Sequence, residues 1–286
     1  MSFDKVTLGR TGLKVSRLGV GSFYGVDAAM VEEAMERGVN YFYWGALRMP
    51  GMAKGIHRMA KKRRSDMVLA MHTHARFGYG LSRLIQKGLR KLDIEYIDVL
   101  LLGLHNKRPS QRLLDTAFEL REKGLVRWLG VSAHNRLIFR EYLEEKLFDI
   151  LHVRYNAAHR GAEVEVFPLL PETDRPGIVS FTNTRWGGLL KPKNMPEHET
   201  PPTASDCYRF VLSHPDADVA ICAPNSMKQL KEDLQALQGG PMSEDELARM
   251  RRIGDYVHER VPAIKDNLGA IRTIRWRGCA PEQRRM

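Results

Sequence analysis

Cysteine is scarce in this sequence. Only Cys207, Cys222 and Cys279 occur among 286 residues, and they are too widely spaced to form a Cys-x-x-Cys metal pair. An odd, scattered set of this kind also argues against the disulfide framework of a small secreted domain. We therefore expect a protein of a reducing compartment, and we predict a cytoplasmic localisation.

Long hydrophobic runs are absent as well. No stretch approaches the roughly 18 to 20 consecutive apolar residues that a membrane-spanning helix requires. Residues 1–5 do not begin the charged and then apolar pattern of a secretory signal. We therefore predict a soluble chain without a membrane partner.

Acidic residues are outnumbered by basic ones. The chain has 34 Asp and Glu against 45 Lys and Arg, which gives a formal net charge of +11. Part of the excess lies in residues 61–64 and part near the carboxyl terminus. No base-reading motif accompanies this charge, so we do not expect a nucleic-acid partner. The positive balance does suit an anionic nucleotide cofactor.

A Gly-x-Gly-x-x-Gly turn is missing after every strand-like run, which argues against a doubly wound dinucleotide-binding sheet. What is present is a regular alternation of β-branched runs with stretches of helical period, as in repeated βα units. This alternation predicts an α/β fold, the (β/α)8 TIM barrel, which needs about 250 residues. The eight predicted strands are residues 18–21, 40–43, 67–72, 97–103, 127–132, 150–153, 177–182 and 219–222.

The predicted barrel carries an N-terminal hairpin around Arg10 and one extra C-terminal helix. That helix begins at Ser243, because a Ser three residues before Glu246 forms a capping box. We assign residues 1–262 to a single barrel domain and residues 263–286 to a basic C-terminal extension, packed over the barrel or mobile. The helices expected between the strands are residues 27–37, 52–61, 81–92, 110–123, 137–146, 162–170, 204–213 and 227–236.

Several stretches, taken together, resemble the aldo-keto reductase superfamily over nearly the whole chain. They match its N-terminal hairpin and first strand, its second, fourth, fifth and sixth strands, and its final cofactor-phosphate helix. The resemblance implies the barrel fold and hydride transfer between NADP(H) and a carbonyl or alcohol substrate. The matching stretches are residues 8–19, 38–42, 96–102, 124–132, 154–156 and 229–234.

The sequence departs from the family where the family does its chemistry. Its reductases use an Asp, a Tyr, a Lys and a His. At the corresponding positions this chain has Tyr43, Arg48, His72 and Gly103, with His105 two residues after the glycine. We therefore expect a divergent active site that lacks the usual tetrad.

Four residues are the catalytic candidates. Tyr43 and His72 end their strands at the face where barrel enzymes hold reacting groups. A phenol and an imidazole can exchange a proton if a neighbouring cation or hydrogen bond lowers the tyrosine pKa. We predict Tyr43 as a relocated proton donor, although it could also merely fill a pocket. His105 could restore the missing imidazole from a loop that swings over the mouth, and Arg48 offers a fork of donors for a carboxylate or phosphate.

The cofactor candidates follow from the resemblance. The NADP(H) sites of the family imply Ser132 at the nicotinamide carboxamide, with Asn156 nearby, and place the loop of Arg185 and Trp186 against the pyrophosphate. For the adenosine phosphate they imply the helix start, where backbone amides favour an anion. The residues at that start are Ser226, Lys228, Gln229 and Asp233, of which the acidic Asp233 could shift preference toward NAD. No metal site is expected.

Two classes of function remain open from the sequence. The first is an oxidoreductase of aldo-keto reductase type that acts on a small-molecule substrate through a non-standard active site. The second is a non-redox barrel, either a lyase or isomerase that uses Tyr43 and His72, or a catalytically silent nucleotide or small-molecule binding protein. Loss of the tetrad favours the second class, whereas the sequence around Ser132 and Gln229 favours the first.

Overall fold

The computed structural model describes residues 2–45 and 49–261. The candidate Arg48 and the extension expected at residues 263–286 lie outside the described residues.

Eight parallel strands close into a barrel in the order of the sequence, with the last strand of the barrel paired to the first. The predicted TIM barrel is therefore confirmed, and the open doubly wound sheet is excluded. A short antiparallel hairpin, Val6–Thr7 (β1) and Lys14–Val15 (β2), precedes it. The barrel strands are Leu18–Gly21 (β3), Tyr41–Trp44 (β4), Val68–Thr73 (β5), Ile97–Leu102 (β6), Val126–Ala133 (β7), Ile150–Arg154 (β8), Gly177–Phe181 (β9) and Val219–Cys222 (β10).

Helices follow the strands, and an extra helix begins after Ser243, whose side chain accepts a hydrogen bond from the Glu246 amide in the expected capping box. The helix expected over residues 162–170 is shorter: it turns into a 3-10 segment, Phe167–Leu169, because Pro168 cannot continue the α-helical hydrogen bonds. The helices are Ala28–Glu36 (α1), Pro50–Arg63 (α2), Gly78–Leu92 (α3), Gln111–Glu122 (α4), Ile138–Glu144 (α5), Ala162–Glu165 (α6), Ala204–Leu212 (α7), Met227–Gly239 (α8) and Glu244–Arg260 (α9).

The barrel interior is filled by every second residue of the strands. Two glycines of β3 leave room there for the large rings of β4: a Cβ at Gly19 would lie 2.8 Å from the Tyr41 ring. The interior cluster includes Tyr41, Val68, Ala70, Val99, Ile150, Val179 and Val219, with Tyr43, Trp128 and Ile221 packed against it. Because side chains alternate along a strand, Tyr43 on β4, His72 on β5, Ser132 on β7 and His152 on β8 point to the same interior side as this cluster.

Polar side chains join alternate pairs of strands near their amino-terminal ends. Each of these side chains lies on, or directly before, one of the strands β4, β6, β8 and β10. Each accepts a hydrogen bond from a backbone amide in the strand that comes before it in the barrel, or in the residues just before that strand. The four bonds are Ser16 N to Asn40 Oδ1 (2.7 Å), Leu69 N to Asp98 Oδ2 (2.9 Å), Leu129 N to Asp149 Oδ2 (3.0 Å) and Ile178 N to Asp218 Oδ2 (2.8 Å). We call these four side chains the strand clamps.

The three carboxylate clamps are neutralised by arginines. Asp98 is 2% exposed and lies 2.7 Å from Arg64 and 3.6 Å from Arg127. Arg10 lies 3.4 Å from Asp149, and Arg175 makes a two-pronged contact with Asp218. A buried carboxylate is tolerated when hydrogen bonds and an opposite charge compensate its desolvation, and each of these clamps has both.

We expect Asp98→Ala to lower the free energy of unfolding by about 3 kcal/mol, because it leaves Arg64 and the Leu69 amide without their buried acceptor. Urea unfolding followed by circular dichroism measures this loss. The control is Asp66→Ala, because Asp66 is exposed and its one recorded side-chain contact among the described residues is with Ser65; its effect should stay within about 0.5 kcal/mol. Equal effects of the two substitutions would contradict the role of the clamp.

Candidate active site

Two of the predicted catalytic side chains lie next to each other at the mouth formed by the carboxyl ends of the strands. The rings of Tyr43 and His72 have centroids 5.4 Å apart. The neighbours of the phenol ring are Phe23, with a centroid separation of 5.5 Å, and His152, with 5.6 Å. Within the part of the chain that the structure describes, the Tyr43 ring therefore has three ring neighbours and no recorded ionised partner.

This setting contradicts one expectation from the sequence, namely that a neighbouring cation or hydrogen bond lowers the pKa of the tyrosine. Burial instead raises the pKa of Tyr43 far above its ordinary value, because a phenolate loses its hydration there. The phenol therefore keeps its proton at neutral pH. That state suits a proton donor and does not suit a base.

His72 is also neutral at pH 7. It is 5% exposed, and burial lowers its pKa well below the usual value, with His74, His152 and Arg76 adding to the effect. The His74 ring stands edge-on to it at a centroid distance of 4.4 Å. A neutral imidazole carries one donor and one acceptor nitrogen, so His72 can accept a proton at one nitrogen and release one at the other.

The position of His72 explains the glycine at residue 103. A Cβ built on Gly103 would lie 1.9 Å from His72 Nε2, so the imidazole occupies the space that a side chain at residue 103 would need. The resemblance implied a histidine at residue 103. The structure puts an imidazole in that region from the neighbouring strand β5 instead of β6.

His105 does not swing over the mouth as expected. It is 7% exposed, and its backbone amide donates to the Ser132 carbonyl at 2.8 Å. Its Nε2 lies 3.0 Å from Nη1 of Arg76; because arginine only donates, this nitrogen is the acceptor. Burial and Arg76 lower the pKa of His105 to about 4. His105 thus connects the loop after β6 to β7 through its backbone amide and accepts a hydrogen bond from Arg76 through its side chain.

The sequence interpretation missed His152. This residue lies on β8, is 2% exposed, and its Nε2 is 3.1 Å from the Tyr41 hydroxyl. Burial lowers its pKa to about 3. The alternation of Ile150, His152 and Arg154 along one strand was the available signal, since it places all three on the interior side.

Ser132 and Asn156, both cofactor candidates, have different hydrogen bonds. The Ser132 hydroxyl oxygen accepts from the Leu104 amide at 3.0 Å, which leaves its O–H to donate to a ligand. Asn156 is completely buried, and its amide is used within the protein: Nδ2 donates to the Thr182 carbonyl, and Oδ1 accepts from the amides of Ala158 and His159. Asn156 therefore shapes the loop after β8.

Arg185 and Trp186 lie in the loop after β9, and both have positive φ angles, 52° and 53°. Trp186 is half-buried. Arg185 is 4% exposed; its Nη2 donates to the Val261 carbonyl at 2.6 Å, and its buried Nε has no hydrogen-bond acceptor within residues 2–45 and 49–261. This side chain retains capacity for an additional acceptor.

The start of α8 is capped. Ser226 accepts from the Gln229 amide at 3.3 Å, and the Gln229 side chain accepts from the Asn225 amide at 3.0 Å. The Lys228 side chain is 88% exposed, with Glu232 3.9 Å away. These three residues lie where an anion at the helix start could reach them.

Asp233 lies on the other face of α8 from Lys228. It is 5% exposed and hydrogen-bonds with Cys222 and Tyr208, and burial, with Glu232, raises its pKa to about 7. The sequence analysis named Asp233 among the cofactor candidates, but its carboxyl group faces the protein interior and therefore does not reach an adenosine phosphate at the start of α8.

Two features are absent from the described residues. Within residues 2–45 and 49–261, no helix is long and apolar enough to cross a membrane. The same ranges contain no group of three or more His, Cys, Asp or Glu side chains arranged to hold a metal ion.

Comparisons with known proteins place the fold. No family model matches the chain. Among curated proteins, an uncharacterized oxidoreductase, YqkF of Bacillus subtilis, is 23% identical over 86% of this chain and 95% of its own length. L-galactose dehydrogenase of Arabidopsis thaliana is 26% identical over 72% of this chain and 73% of its length.

Solved structures with a similar fold include aldo-keto reductases. The holo form of the aldo-keto reductase AKR11C1 from Bacillus halodurans superposes with a TM-score of 0.75 at 22% identity, covering 88% of this chain and 96% of that one. An aldo/keto reductase from Klebsiella pneumoniae, in complex with NADP and acetate, gives 0.72 at 20% identity with the same coverage. The chain has the fold of the aldo-keto reductases, and the resemblance stated from the sequence is confirmed.

We expect Gly103→Ala to displace His72, because the new methyl group would overlap the imidazole. Overpacking of this kind costs about 1–3 kcal/mol, measurable as a lower midpoint of thermal unfolding, and the NMR signals of the His72 ring should shift. The control is Gly80→Ala, a helical position with nothing within 4 Å of the added Cβ, which should be neutral or stabilising. An unchanged His72 spectrum in Gly103→Ala would contradict the assignment.

Proposed function

We propose that this protein is an oxidoreductase of aldo-keto reductase type that interconverts a small carbonyl compound and its alcohol with NADP(H). The observation that carries the proposal is the protonated Tyr43 phenol beside His72 at the mouth of an aldo-keto reductase barrel. The four usual catalytic residues are replaced, so the active site is non-standard. The partner is a small-molecule substrate.

Several side chains suit the anionic cofactor. The start of α8 offers backbone amides, the Ser226 cap and the exposed Lys228 to an adenosine phosphate. Arg185, in the loop that would face the pyrophosphate, has a buried Nε with no acceptor among the described residues, and Trp186 beside it offers a ring surface. Ser132 has a hydroxyl proton to donate to a carboxamide oxygen. The residues therefore fit NADP(H), which supplies or accepts the hydride.

Tyr43 performs the proton transfer. In carbonyl reduction the carbonyl carbon gains the hydride and its oxygen gains the Tyr43 proton, so that the product is a neutral alcohol. His72 lies in ring contact with Tyr43 and, as a neutral imidazole, returns a proton to the phenolate. The rings of Phe23, His72 and His152 surround the partly buried phenol, and a lower local dielectric would strengthen its interaction with the oxygen that becomes negative in the transition state.

We expect Tyr43→Phe to reduce turnover by roughly 10²–10⁴-fold, since a general acid typically contributes about that factor, while the affinity for NADPH stays unchanged. Steady-state assays over a panel of aldehydes and ketones, with cofactor fluorescence titration, measure both quantities. The control is Tyr79→Phe, which removes a hydroxyl from an exposed tyrosine at the start of α3. Full activity of Tyr43→Phe would contradict the relocated donor.

The cofactor proposal has its own test. NADPH should bind in a fluorescence titration, and Lys228→Glu should weaken NADPH far more than NADH, because only NADPH carries the adenosine 2′-phosphate. Lys87→Glu makes the same charge change on the exposed surface of α3 and should leave both affinities unchanged. Failure of the wild type to bind either nucleotide would contradict the redox function and favour the non-redox barrel.

A further inference from the structure

An open cavity lies at the amino-terminal end of the barrel, opposite the mouth, between the N-terminal hairpin, the end of α4 and the start of β7. Its volume is about 510 Å³, and small-molecule sites typically measure roughly 300–1,000 Å³. Trp128 in this cavity and Ser132 at the mouth are four residues apart on β7, which corresponds to about 13 Å. We call this space the basal cavity. Its main lining side chains are Leu13, Tyr96, Arg121, Val126, Arg127 and Trp128.

Arg127, on β7, is the second and more distant arginine of its strand clamp. It lies 3.6 Å from Asp98, whose carboxylate is already held by Arg64 at 2.7 Å and by the Leu69 amide at 2.9 Å. A separation of 3.6 Å is too long for a hydrogen bond. The half-exposed guanidinium lies over the Tyr96 ring, 3.7 Å from its centroid. Arg127 is therefore held in place while its donors remain available to a ligand in the cavity.

Arg121, at the end of α4, repeats this arrangement. It lies 3.9 Å from Asp149, which is nearer to Arg10 at 3.4 Å and accepts a hydrogen bond from the Leu129 amide at 3.0 Å. Its half-exposed guanidinium lies 5.2 Å from the centroid of the Phe118 ring. Both cavity arginines are thus braced by a ring and a distant carboxylate, which lowers the entropy cost of ordering them around a ligand.

Positive charge is in excess among these ion pairs. The two clamps contain four arginines and three carboxylates in linked contacts, because Arg10 also lies 3.4 Å from Asp174. The longest of these contacts are those of Arg121 and Arg127, so the uncompensated charge faces the basal cavity. A carboxylate, with one negative charge, would balance it, whereas a phosphate monoester carries nearly two at pH 7.

The remaining wall of the basal cavity is apolar. Val126 is buried, while Leu13 and Trp128 are half-buried and pack against the interior cluster of the barrel. Covering such a surface with an apolar ligand is favourable by about 25 cal/mol per Å² removed from water. The cavity thus combines an apolar wall with two guanidinium groups, whose planar forks of donors match the geometry of a carboxylate.

We propose that the basal cavity binds a monocarboxylate with a flat apolar body. Arg121 and Arg127 hold the carboxylate, and Trp128 and Leu13 contact the apolar body. The site is separate from the proposed cofactor and substrate sites, which lie at the other end of the barrel. The proposal therefore does not depend on the redox function.

The test is calorimetric titration of the full-length protein with 2-naphthoate and with 2-naphthamide, which has the same ring system but no charge. 2-Naphthoate should bind at least about 10-fold more tightly, the lower end of what a hydrogen bond to a charged group contributes. Equal affinities, or no detectable binding of 2-naphthoate, would overturn the proposal whether or not the protein catalyses a redox reaction.

Variants identify the residues. Arg121→Met and Arg127→Met should each weaken 2-naphthoate by about 10-fold or more and leave 2-naphthamide unchanged, while Arg127→Lys restores part of the loss. Arg10 and Arg64 still compensate the clamp carboxylates in these variants, so they should fold, which circular dichroism checks. Arg112→Met removes an exposed arginine near the other end of α4 and should change nothing. Unchanged affinity in both cavity variants would overturn the assignment.

NMR spectroscopy locates the ligand independently of the arginines. The indole N–H signal of Trp128, identified by its loss in Trp128→Phe, should shift when 2-naphthoate is added, because the naphthalene ring would lie against the indole. The signal of Trp186, in the loop at the mouth, should not move. A shift of the Trp186 signal without one of Trp128 would place the ligand at the mouth, and the proposal would be wrong.

Discussion

The register of the barrel strands is the constraint on which the rest of this structure depends. A shift of one residue would turn every side chain of a strand to the opposite face, and Tyr43, His72 and His152 would then leave the interior. The strand clamps Asn40, Asp98, Asp149 and Asp218 act on this register, because each ties a strand to its predecessor by a side-chain to backbone bond. The hydrogen bonds of the clamps at the amino-terminal end of the barrel thus help to fix the strand register that brings Tyr43, His72 and His152 together at the carboxyl end.

The two sides of the mouth differ in charge: the titratable side chains on one side are neutral, and those on the other include charged arginines. On the β4 and β5 side, burial keeps Tyr43 protonated and His72 neutral. On the β8 and β9 side, arginines dominate, and an arginine stays charged when buried because its pKa is so high. The first side could therefore move a proton, whereas the second carries a positive charge that does not change near neutral pH.

Local patterns were enough to predict the framework. The bounds of β3 and β10 agree with the prediction residue for residue, and the other strands agree within one or two, because β-branched runs and period-two alternation are local signals. The adjacency of Tyr43 and His72 followed as well, since successive strands pair. The strand clamps were not predicted, because each pairs groups 20 to 40 residues apart. His152 was missed since one histidine in an apolar strand looks like core.

The raised pKa of Tyr43 bears on the direction of the reaction. Carbonyl reduction starts from the phenol, the state that burial favours, whereas alcohol oxidation would start from the phenolate, which burial disfavours. Among the described residues no cation contributes to the pKa of Tyr43, and the neighbouring imidazole rings of His72 and His152 are neutral at pH 7. Under the proposed function the phenol therefore carries its proton when the reduction begins, and its raised pKa, which makes it a weaker acid, adds to the free-energy cost of the proton transfer.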